Sequence, residues 1–259
     1  MKKYYIPFLV GLISLIFYSR FVHNSHRLSE QNDTYTIKKV YPHDPGAFTQ
    51  GLVYYKGFLY EGTGLRGRSS LRKVDISTGK VLMKVEISDK YFAEGITILN
   101  NKIYQLTWKS NKGFVYDQNS FKLLNTFSYN TEGWGITTDG NELIISDGTS
   151  RVYFMDPGTF RITRSIEVTY NNSPIKNINE LEYINGYIYA NIWQTNYIAE
   201  IDPGTGNIKT ILDLENILKK NLIRDNVKVP NGIAYNPQSG SLYITGKLWP
   251  ELYEIAPGS

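Results

Sequence analysis

The stretch FAEGITILNNKIYQLTW, residues 92–108, carries the pattern that decides the fold. Two apolar runs rich in β-branched and aromatic residues, 95–99 and 103–106, flank a short Asn-Asn-Lys segment. β-Branched and aromatic residues favour strands, and asparagine favours turns. The stretch therefore predicts two consecutive strands. An acid, Glu94, stands directly before the glycine that opens the first strand, and Trp108 follows the second.

The same pattern is repeated five times along the chain. Each copy has a short first strand and a second strand with an apolar anchor, and all but the last continue into a third and a fourth strand. The anchors recur roughly every 40 to 54 residues, at Leu59, Ile103, Leu143, Ile188 and Leu242. Four strands per unit at this period are the signature of a propeller blade. A β-sandwich would leave five copies in register unexplained.

The fifth copy stops after its third strand, near Glu254. A propeller must close to remove its open edges, so this blade needs an outer strand from elsewhere. The segment YTIKKV, residues 35–40, precedes the first copy and is predicted to supply that strand. We therefore predict an all-β fold over residues 35–259, a five-bladed β-propeller closed by an N-terminal strand. One helix-like pattern is found, at residues 212–222.

Composition excludes several classes of function. The chain has no cysteine, which removes disulfides, thiolate nucleophiles and Cys-ligated metals. Of its three histidines, His23 and His26 precede the propeller, and His43 is predicted to be a turn residue. Four basic residues and one acid lie before residue 31, so only about +1 of the formal +4 belongs to the rest. Because no basic cluster with interleaved aromatics appears, we expect no nucleic-acid partner.

The N-terminal segment predicts export. A basic start, Met1–Lys3, is followed by the uncharged run YYIPFLVGLISLIFY, residues 4–18. Residues 1–22 are interpreted as a signal peptide or a membrane anchor, because a run this short suits a signal while no small-residue cleavage site follows. Residues 23–34 are interpreted as a polar tether. Both alternatives place the propeller in the periplasm or outside the cell, with possible membrane attachment through residues 4–22.

Equivalent positions in the blades form two rings around the predicted axis. The first ring precedes the first-strand glycine or its equivalent: Gln50, Glu94, Trp134, Asn179 and Asn231. The second ring follows each anchor by five residues: Gly64, Trp108, Gly148, Trp193 and Lys247. Aromatic walls with a few convergent polar groups are typical of a small-ligand site. Glu94 is the only acid of the ten, so we interpret it as a general acid/base. In the structural alternative, these residues only fill the propeller axis.

At these residues the sequence resembles the glutaminyl-peptide cyclotransferases of the plant and bacterial type. The resemblance extends from Tyr41 to about Trp249, and its motifs are YPHD (41–44), AFTQGL (47–52), FAEGI (92–96), EGWG (132–135), INELE (178–182), ANIW (190–193) and YITGK (243–247). It implies a five-bladed propeller enzyme, an acyltransferase. Such an enzyme converts the N-terminal glutamine of peptides or proteins to pyroglutamate and releases ammonia, without a catalytic metal.

The resemblance also implies roles for individual residues. Glu94 matches the catalytic acid/base, and the substrate-binding positions match Phe48, Gln50, Trp108, Trp134, Asn179, Trp193 and Lys247. We expect no metal, no cofactor and a monomer. Glu61 and Glu132 lie near the same strand ends but outside the rings, and are expected to matter less. The alternatives are a non-enzymatic propeller that binds peptides or small ligands, and a lactonase-like propeller, whose axial metal would need several carboxylate or Asn ligands where the rings offer one acid with two or three amides.

The leader generates a first testable prediction. A tagged full-length chain should be found outside the cytoplasm, in the periplasmic, extracellular or membrane fraction. A variant that lacks residues 2–20 should stay in the cytosol, because the basic start and the apolar run are what an export pathway recognises. Recovery of the full-length protein only in the cytosol would contradict the prediction.

Overall fold

The computed structural model describes residues 32–33, 35–221 and 229–258. The predicted signal or anchor, 1–22, and the predicted tether up to residue 31 lie outside the described residues. Within the described part, no helix is long and apolar enough to cross a membrane.

Strands are the dominant element of the described chain. Two strands precede the repeats, β1 (Asn32–Asp33) and β2 (Tyr35–Pro42). Blade 1 contains β3 (Thr49–Tyr55), β4 (Phe58–Thr63), β5 (Ser70–Asp75) and β6 (Val81–Glu86). Blade 2 contains β7 (Ala93–Leu99), β8 (Lys102–Thr107), β9 (Lys112–Asp117) and β10 (Leu123–Ser128). Blade 3 contains β11 (Ile136–Thr138), β12 (Leu143–Ser146), β13 (Arg151–Met155) and β14 (Ile162–Glu167).

The remaining blades follow a small hairpin, β15 (Thr169–Tyr170) and β16 (Ser173–Pro174). Blade 4 contains β17 (Ile178–Ile184), β18 (Tyr187–Ile192), β19 (Tyr197–Ile201) and β20 (Ile208–Asp213). A short helix, α1 (Glu215–Asn221), comes next. Blade 5 contains β21 (Pro230–Asn236), β22 (Ser241–Gly246) and β23 (Glu251–Pro257), with β2 as its fourth strand.

The predicted closing strand is confirmed and is slightly longer than expected. β2 pairs antiparallel with β23 along its whole length, for example Ile37 with Ile255. One further strand was not expected. Asn32 and Asp33, placed in the tether by the sequence, pair in parallel with Ile211 and Leu212 at the outer edge of blade 4. An outer strand has unpaired main-chain groups, so a chain that passes alongside can add to it.

The apolar core is divided into five clusters, each lying between two neighbouring blades. The cluster between blades 5 and 1 contains Ala234 and Tyr243 from one side and Leu52 and Leu59 from the other. Four further clusters join blades 1 and 2, 2 and 3, 3 and 4, and 4 and 5. The ring is therefore closed by the same apolar packing that joins its other blades.

The recurring glycines allow the innermost strands to approach each other closely. A Cβ atom on Gly51 would lie 2.4 Å from the main-chain nitrogen of Ile96 in the next blade. One on Gly95 would lie 2.8 Å from Ile136, and one on Gly135 2.1 Å from the carbonyl oxygen of Asn179. No other residue fits without moving the backbone. The repeated glycine was thus a signal of inter-blade packing.

Blade 4 has Glu180 where the other blades have glycine, and this carboxyl group joins three blades. Its Oε1 accepts a hydrogen bond from the main-chain N–H of Leu52 (3.0 Å) and its Oε2 one from Ile233 (2.9 Å). Burial, together with the neighbouring Glu182, raises the pKa of Glu180 well above its usual range. Both acids act as main-chain acceptors near the axis, and Glu182 likewise accepts from Tyr235 (3.0 Å).

A buried polar network connects the first and last blades, and it corrects the prediction for His43. The His43 Nδ1–H donates to the carbonyl of Trp249 (2.6 Å), and its Nε2–H donates to Glu61 (3.0 Å). Glu61 also accepts from Thr49 (2.7 Å) and faces Arg72 at 3.8 Å. His43 is therefore a buried residue that links two blades by hydrogen bonds, rather than a turn residue. The sequence did not show this, because only the tertiary fold brings Glu61 next to the imidazole.

The predicted helix over 212–222 is present but shorter. Leu212 belongs to β20, where it pairs with Ile198 and packs into the core between blades 4 and 5. Helix α1 begins at Glu215, and the side chain of Asp213 accepts a hydrogen bond from the Glu215 N–H (2.9 Å). Sheet pairing has overridden the helical pattern at this end, and residue 222 lies outside the described residues.

The His43–Glu61 pair should make a measurable contribution to stability. Glu61→Gln leaves the imidazole buried without its counter-ion, so we expect the free energy of unfolding to fall by about 3–5 kcal/mol in urea titrations. Glu86→Gln, which removes the exposed acid of the Lys84 pair, should have almost no effect.

The loss should also depend on pH in a defined direction. Burial opposes charge on both groups, but their attraction and hydrogen bonds leave the pKa of His43 raised and that of Glu61 lowered. The His43 contribution is complete below about pH 6.5 and is lost as pH rises through its folded pKa. The Glu61 contribution is complete above about pH 4.3 and is lost as pH falls. A Glu61→Gln effect that is not largest between these values would contradict the assignment.

Candidate active site

The polar residues of the first ring lie where the innermost strands depart from regular pairing. The ladders shift register between Thr49 and Gly51, Ala93 and Ile96, Ile178 and Leu181, and Pro230 and Ile233. Gln50, Glu94, Asn179 and Asn231 all fall inside these irregular segments. A bulge re-aims side chains that a regular strand would alternate across the sheet. Local backbone geometry thus directs four polar side chains toward one end of the axis.

The structure brings all eight residues implied by the resemblance into one cavity of about 550 Å³. Its described lining consists of Phe48, Gln50, Phe92, Glu94, Trp108, Trp134, Asn179, Trp193, Gln194, Val229 and Lys247. This volume is in the range of small-ligand sites. Among the described lining residues Glu94 is the only acid and Lys247 the only Lys or Arg.

Sequence reasoning missed three lining residues. Phe92 had a readable signal, because it stands two residues before Glu94 just as Phe48 stands two residues before Gln50. Gln194 and Val229 had none, since they lie in segments whose course depends on the surrounding blades. One predicted ring position, Asn231, is buried but is not among the described lining residues.

The two glycines of the second ring make room for the aromatic walls. A Cβ on Gly64 would lie 2.5 Å from the ring of Phe92, and one on Gly148 would lie 2.5 Å from the indole of Trp134. The walls pack edge to face, with Trp134 against Trp193 at 5.4 Å and 88°. The large rings of Phe92 and Trp134 therefore require glycine at positions 64 and 148.

Glu94 lies in a strongly desolvated environment. Its side chain is buried, and burial raises its pKa well above the usual range, although the Lys247 ammonium and a hydrogen bond from Gln50 partly oppose this. Burial also lowers the pKa of Lys247, against the attraction of Glu94. The Lys247 Nζ lies 5.1 Å from the ring centre of Phe48. Acid and amine thus share an apolar chamber in which each partly stabilises the charge of the other.

Asn231 sets the orientation of the Gln50 amide from behind. Its Nδ2 donates to the side-chain oxygen of Gln50 (3.2 Å) and to the main-chain carbonyl of Thr49 (3.0 Å). With its oxygen engaged there, Gln50 presents its NH₂ group to Glu94. The side-chain amides of Asn231 in blade 5 and Gln50 in blade 1 therefore connect blade 5 to Glu94 in blade 2.

Comparison with known proteins decides the family. The family model described as "Glutamine cyclotransferase" matches residues 12–256. The chain belongs to the glutamine cyclotransferase family. The resemblance read from the sequence motifs is thereby confirmed, as is the five-bladed propeller that it implied.

Two relatives show how much of the family pattern this chain shares. A glutaminyl-peptide cyclotransferase of Arabidopsis thaliana is 42% identical over 236 residues, which cover 89% of this chain and 72% of the relative. The crystal structure of Myxococcus xanthus glutaminyl cyclase matches with a TM-score of 0.83 at 34% identity, covering 88% of this chain and 98% of the other. Both matches span nearly the whole propeller of this cyclotransferase-family chain.

The two acids expected to matter less both prove to have specific partners in this family member. Glu61 belongs to the buried network of His43, as described above. Glu132 accepts hydrogen bonds from the indoles of Trp108 and Trp134, two walls of the cavity. Neither acid is therefore a neutral control for substitutions at Glu94. Except for Trp134, which lies two residues from Glu132, these partners are distant in sequence, so sequence spacing did not reveal them.

The site generates a prediction that does not depend on activity. In ¹³C NMR titrations, the Glu94 carboxyl should titrate well above the ordinary value of about 4.3. Lys247→Met should raise its pKa further, because the ammonium that favours the carboxylate is gone. Lys122→Met, at an exposed position, is the control and should not move it. Titration of Glu94 near pH 4 in the folded wild type would contradict the desolvated site.

Proposed function

We propose that this chain is a glutaminyl-peptide cyclotransferase that uses Glu94 as its general acid/base. The observation that carries the proposal is a desolvated carboxyl group, the one acid of the described lining residues, which shares an aromatic cavity with the Lys247 amine in a member of this family. The reaction converts the N-terminal glutamine of a peptide or protein to pyroglutamate and releases ammonia. The rest of the cavity then orients and activates a single bound residue.

The aromatic walls supply the orientation that the reaction needs. The α-amine nitrogen must approach the γ-carboxamide carbon of the same residue, so the glutamine side chain has to fold back on itself. Holding two reacting groups in such a geometry can contribute about 7–11 kcal/mol to lowering a barrier. Trp108, Trp134 and Trp193 enclose the stem of the glutamine and exclude water. The intramolecular attack is thereby favoured over hydrolysis.

Glu94 moves the proton. As the C–N bond forms, its carboxylate takes a proton from the α-amine nitrogen. As the bond to the γ-nitrogen breaks, the carboxyl group returns the proton to that nitrogen, which leaves as ammonia. A general acid/base works best when its pKa is near the operating pH, and burial raises the pKa of Glu94 in that direction. The free α-amine has a pKa of roughly 7.7–8.0, so a weak base suffices.

Lys247 and Asn179 are placed to bind the other reacting atoms. The oxygen of the Gln50 amide accepts from Asn231, and Lys247 is the cation available for the oxygen of the carboxamide as it gains negative charge. Asn179 is 2% exposed, and its Oδ1 accepts no hydrogen bond from any described residue. An unpaired buried acceptor is costly. Asn179 nevertheless lines the cavity, and its side-chain NH₂ group is the part that can bind the substrate.

A non-enzymatic binding propeller is the weaker candidate. Recognition of an N-terminal ammonium would be served by an ionised acid, whereas burial disfavours the charge on Glu94. A carboxyl group whose charged form is disfavoured by burial suits proton transfer better than permanent charge pairing.

The setting of the enzyme is part of the same proposal. The basic and apolar start of the chain supports export, followed by cleavage or by membrane attachment through residues 4–22. The substrates are peptides with N-terminal glutamine, and we propose that exported proteins with N-terminal glutamine are substrates as well. The enzyme acts as a monomer, since one chain supplies every group named above.

Glu94→Gln tests the proposed function directly. The substitution keeps shape and hydrogen bonding but removes the basic oxygen, so cyclisation of a Gln-initiated dipeptide should slow by about 10²–10⁴-fold, the usual contribution of general acid/base catalysis. Glu142→Gln, a partly exposed acid of blade 3, is the control and should keep wild-type turnover. Ammonia release would be measured with EDTA present, and circular dichroism would confirm folding. A folded Glu94→Gln variant that retains more than about a tenth of wild-type turnover would rule out the proton shuttle.

A further inference from the structure

We propose that Glu132 is a positioning residue that locks two tryptophan walls of the cavity in place without touching the substrate. The inference rests on the proposed function for its catalytic consequence, but its structural content stands on the contacts of Glu132 alone. Glu132 is not among the described residues that line the cavity. Its effect on a substrate must therefore pass through other side chains of the site.

One carboxylate oxygen serves both indoles. Oε2 of Glu132 accepts a hydrogen bond from Nε1 of Trp108 at 2.6 Å and from Nε1 of Trp134 at 2.9 Å. Trp108 follows the second strand of blade 2, and Trp134 precedes the first strand of blade 3. The shared acceptor therefore fixes the angle between two rings that belong to different blades. An indole has one polar atom, so this single bond sets the direction of each ring edge.

Lys109 also restrains Trp108. Its Nζ lies 3.4 Å from Oε1 of Glu132 and 4.3 Å from the ring centre of Trp108. The same indole packs against Phe92 at 5.8 Å. Trp108 is thus held at its edge by Glu132, on one face by Lys109 and from a third side by Phe92.

A carboxylate suits this position better than a neutral acceptor. Burial alone would raise the pKa of Glu132, but the two indole N–H groups and Lys109 together leave it lowered, so the group stays ionised. Charge-assisted hydrogen bonds are shorter and about twice as strong as neutral ones. The retained charge also faces Glu94 and helps to raise the pKa of that group.

Loss of the Glu132 carboxylate should increase the mobility of the Trp108 indole more than that of the Trp134 indole. The indole of Trp134 is also confined by Gly148 and by Trp193. Trp108 would keep only Phe92 and a lysine that has lost its partner. Small displacements of groups that orient a substrate can cost about 10²-fold in rate. Glu132→Ala should therefore lower kcat/KM by about 10- to 100-fold, although it removes no group that contacts the substrate.

The experiment compares Glu132→Ala and Glu132→Gln with the control Glu142→Ala. Glu142 is matched, because it is a partly exposed acid that pairs with Arg164 (3.9 Å) and bonds Thr163 (2.5 Å) in blade 3. The first readout is the indole ¹H–¹⁵N spectrum, with the signals of Trp108 and Trp134 assigned by single Trp→Phe variants. The second is kcat and KM for a Gln-initiated dipeptide as a function of pH.

We expect Glu132→Ala to shift the indole signals of Trp108 and Trp134 upfield and to leave those of Trp193 and Trp249 in place. Glu132→Gln keeps an acceptor oxygen, so it should restore most of the indole shifts and kcat/KM at high pH. The charged or titratable groups that face Glu94 are Lys247, Glu132 and Tyr129. Because Glu132→Gln removes only one negative charge, the acid limb of its pH profile should move to lower pH.

Non-additivity separates positioning from general damage. If Glu132 acts through the two indoles, Glu132→Ala should cause little further loss in a Trp108→Phe/Trp134→Phe background. Unmoved indole signals in Glu132→Ala would overturn the proposal whether or not the enzyme is active. So would wild-type kcat/KM in that variant, or a full additional loss in the double-Phe background. If Glu132→Ala does not fold, Glu132→Gln and Lys109→Met decide, since the latter should shift the Trp108 signal alone. Absence of cyclisation by the wild type would instead refute the proposed function and leave the indole test intact.

Discussion

The close approach of the innermost strands is the constraint on which the rest of the molecule depends. At Gly51, Gly95 and Gly135 the backbone of one blade meets that of the next with no space for a Cβ atom. This contact keeps the ring small enough for a single carboxyl group, that of Glu180, to bond main-chain groups of two other blades. It also brings the strand ends together, and the strand ends carry the side chains of the cavity.

The interrupted pairing at those strand ends converts a structural ring into a site. In a regular ladder, alternate residues face opposite sides of a sheet, and neighbouring blades would bury apolar groups at these positions. The register shifts release Gln50, Glu94 and Asn179 from that alternation. The cost is a set of buried polar groups that need partners. Amide-to-amide bonding through Asn231 meets part of that need, while Oδ1 of Asn179 and Oδ1 of Asn231 have no hydrogen-bond partner among the described residues.

Charge is distributed differently in the two buried networks of the protein. In the buried network that connects the first and last blades, His43 and Arg72 both stabilise the charge of Glu61, which keeps its carboxylate ionised. In the cavity, desolvation outweighs the single amine of Lys247, which moves Glu94 toward its neutral form. Two glutamates of the same chain thus have opposite pKa shifts because their numbers of close cationic and hydrogen-bonding partners differ. The first arrangement suits stability, and the second suits proton transfer.

The blade count, the closing strand and eight of the eleven described lining residues of the cavity were readable from the sequence. These follow from local patterns: a repeat period, a glycine required by close packing, and equivalent positions that symmetry places around one axis. Even Phe92 was within reach, because Phe48 and Gln50 repeat its spacing to Glu94. Only the tertiary structure decided the partners of His43, the orientation of Gln50 and the role of Glu132 as a shared acceptor. Those contacts join residues of different blades, and their distances depend on how two sheets pack, which no periodicity along one strand records.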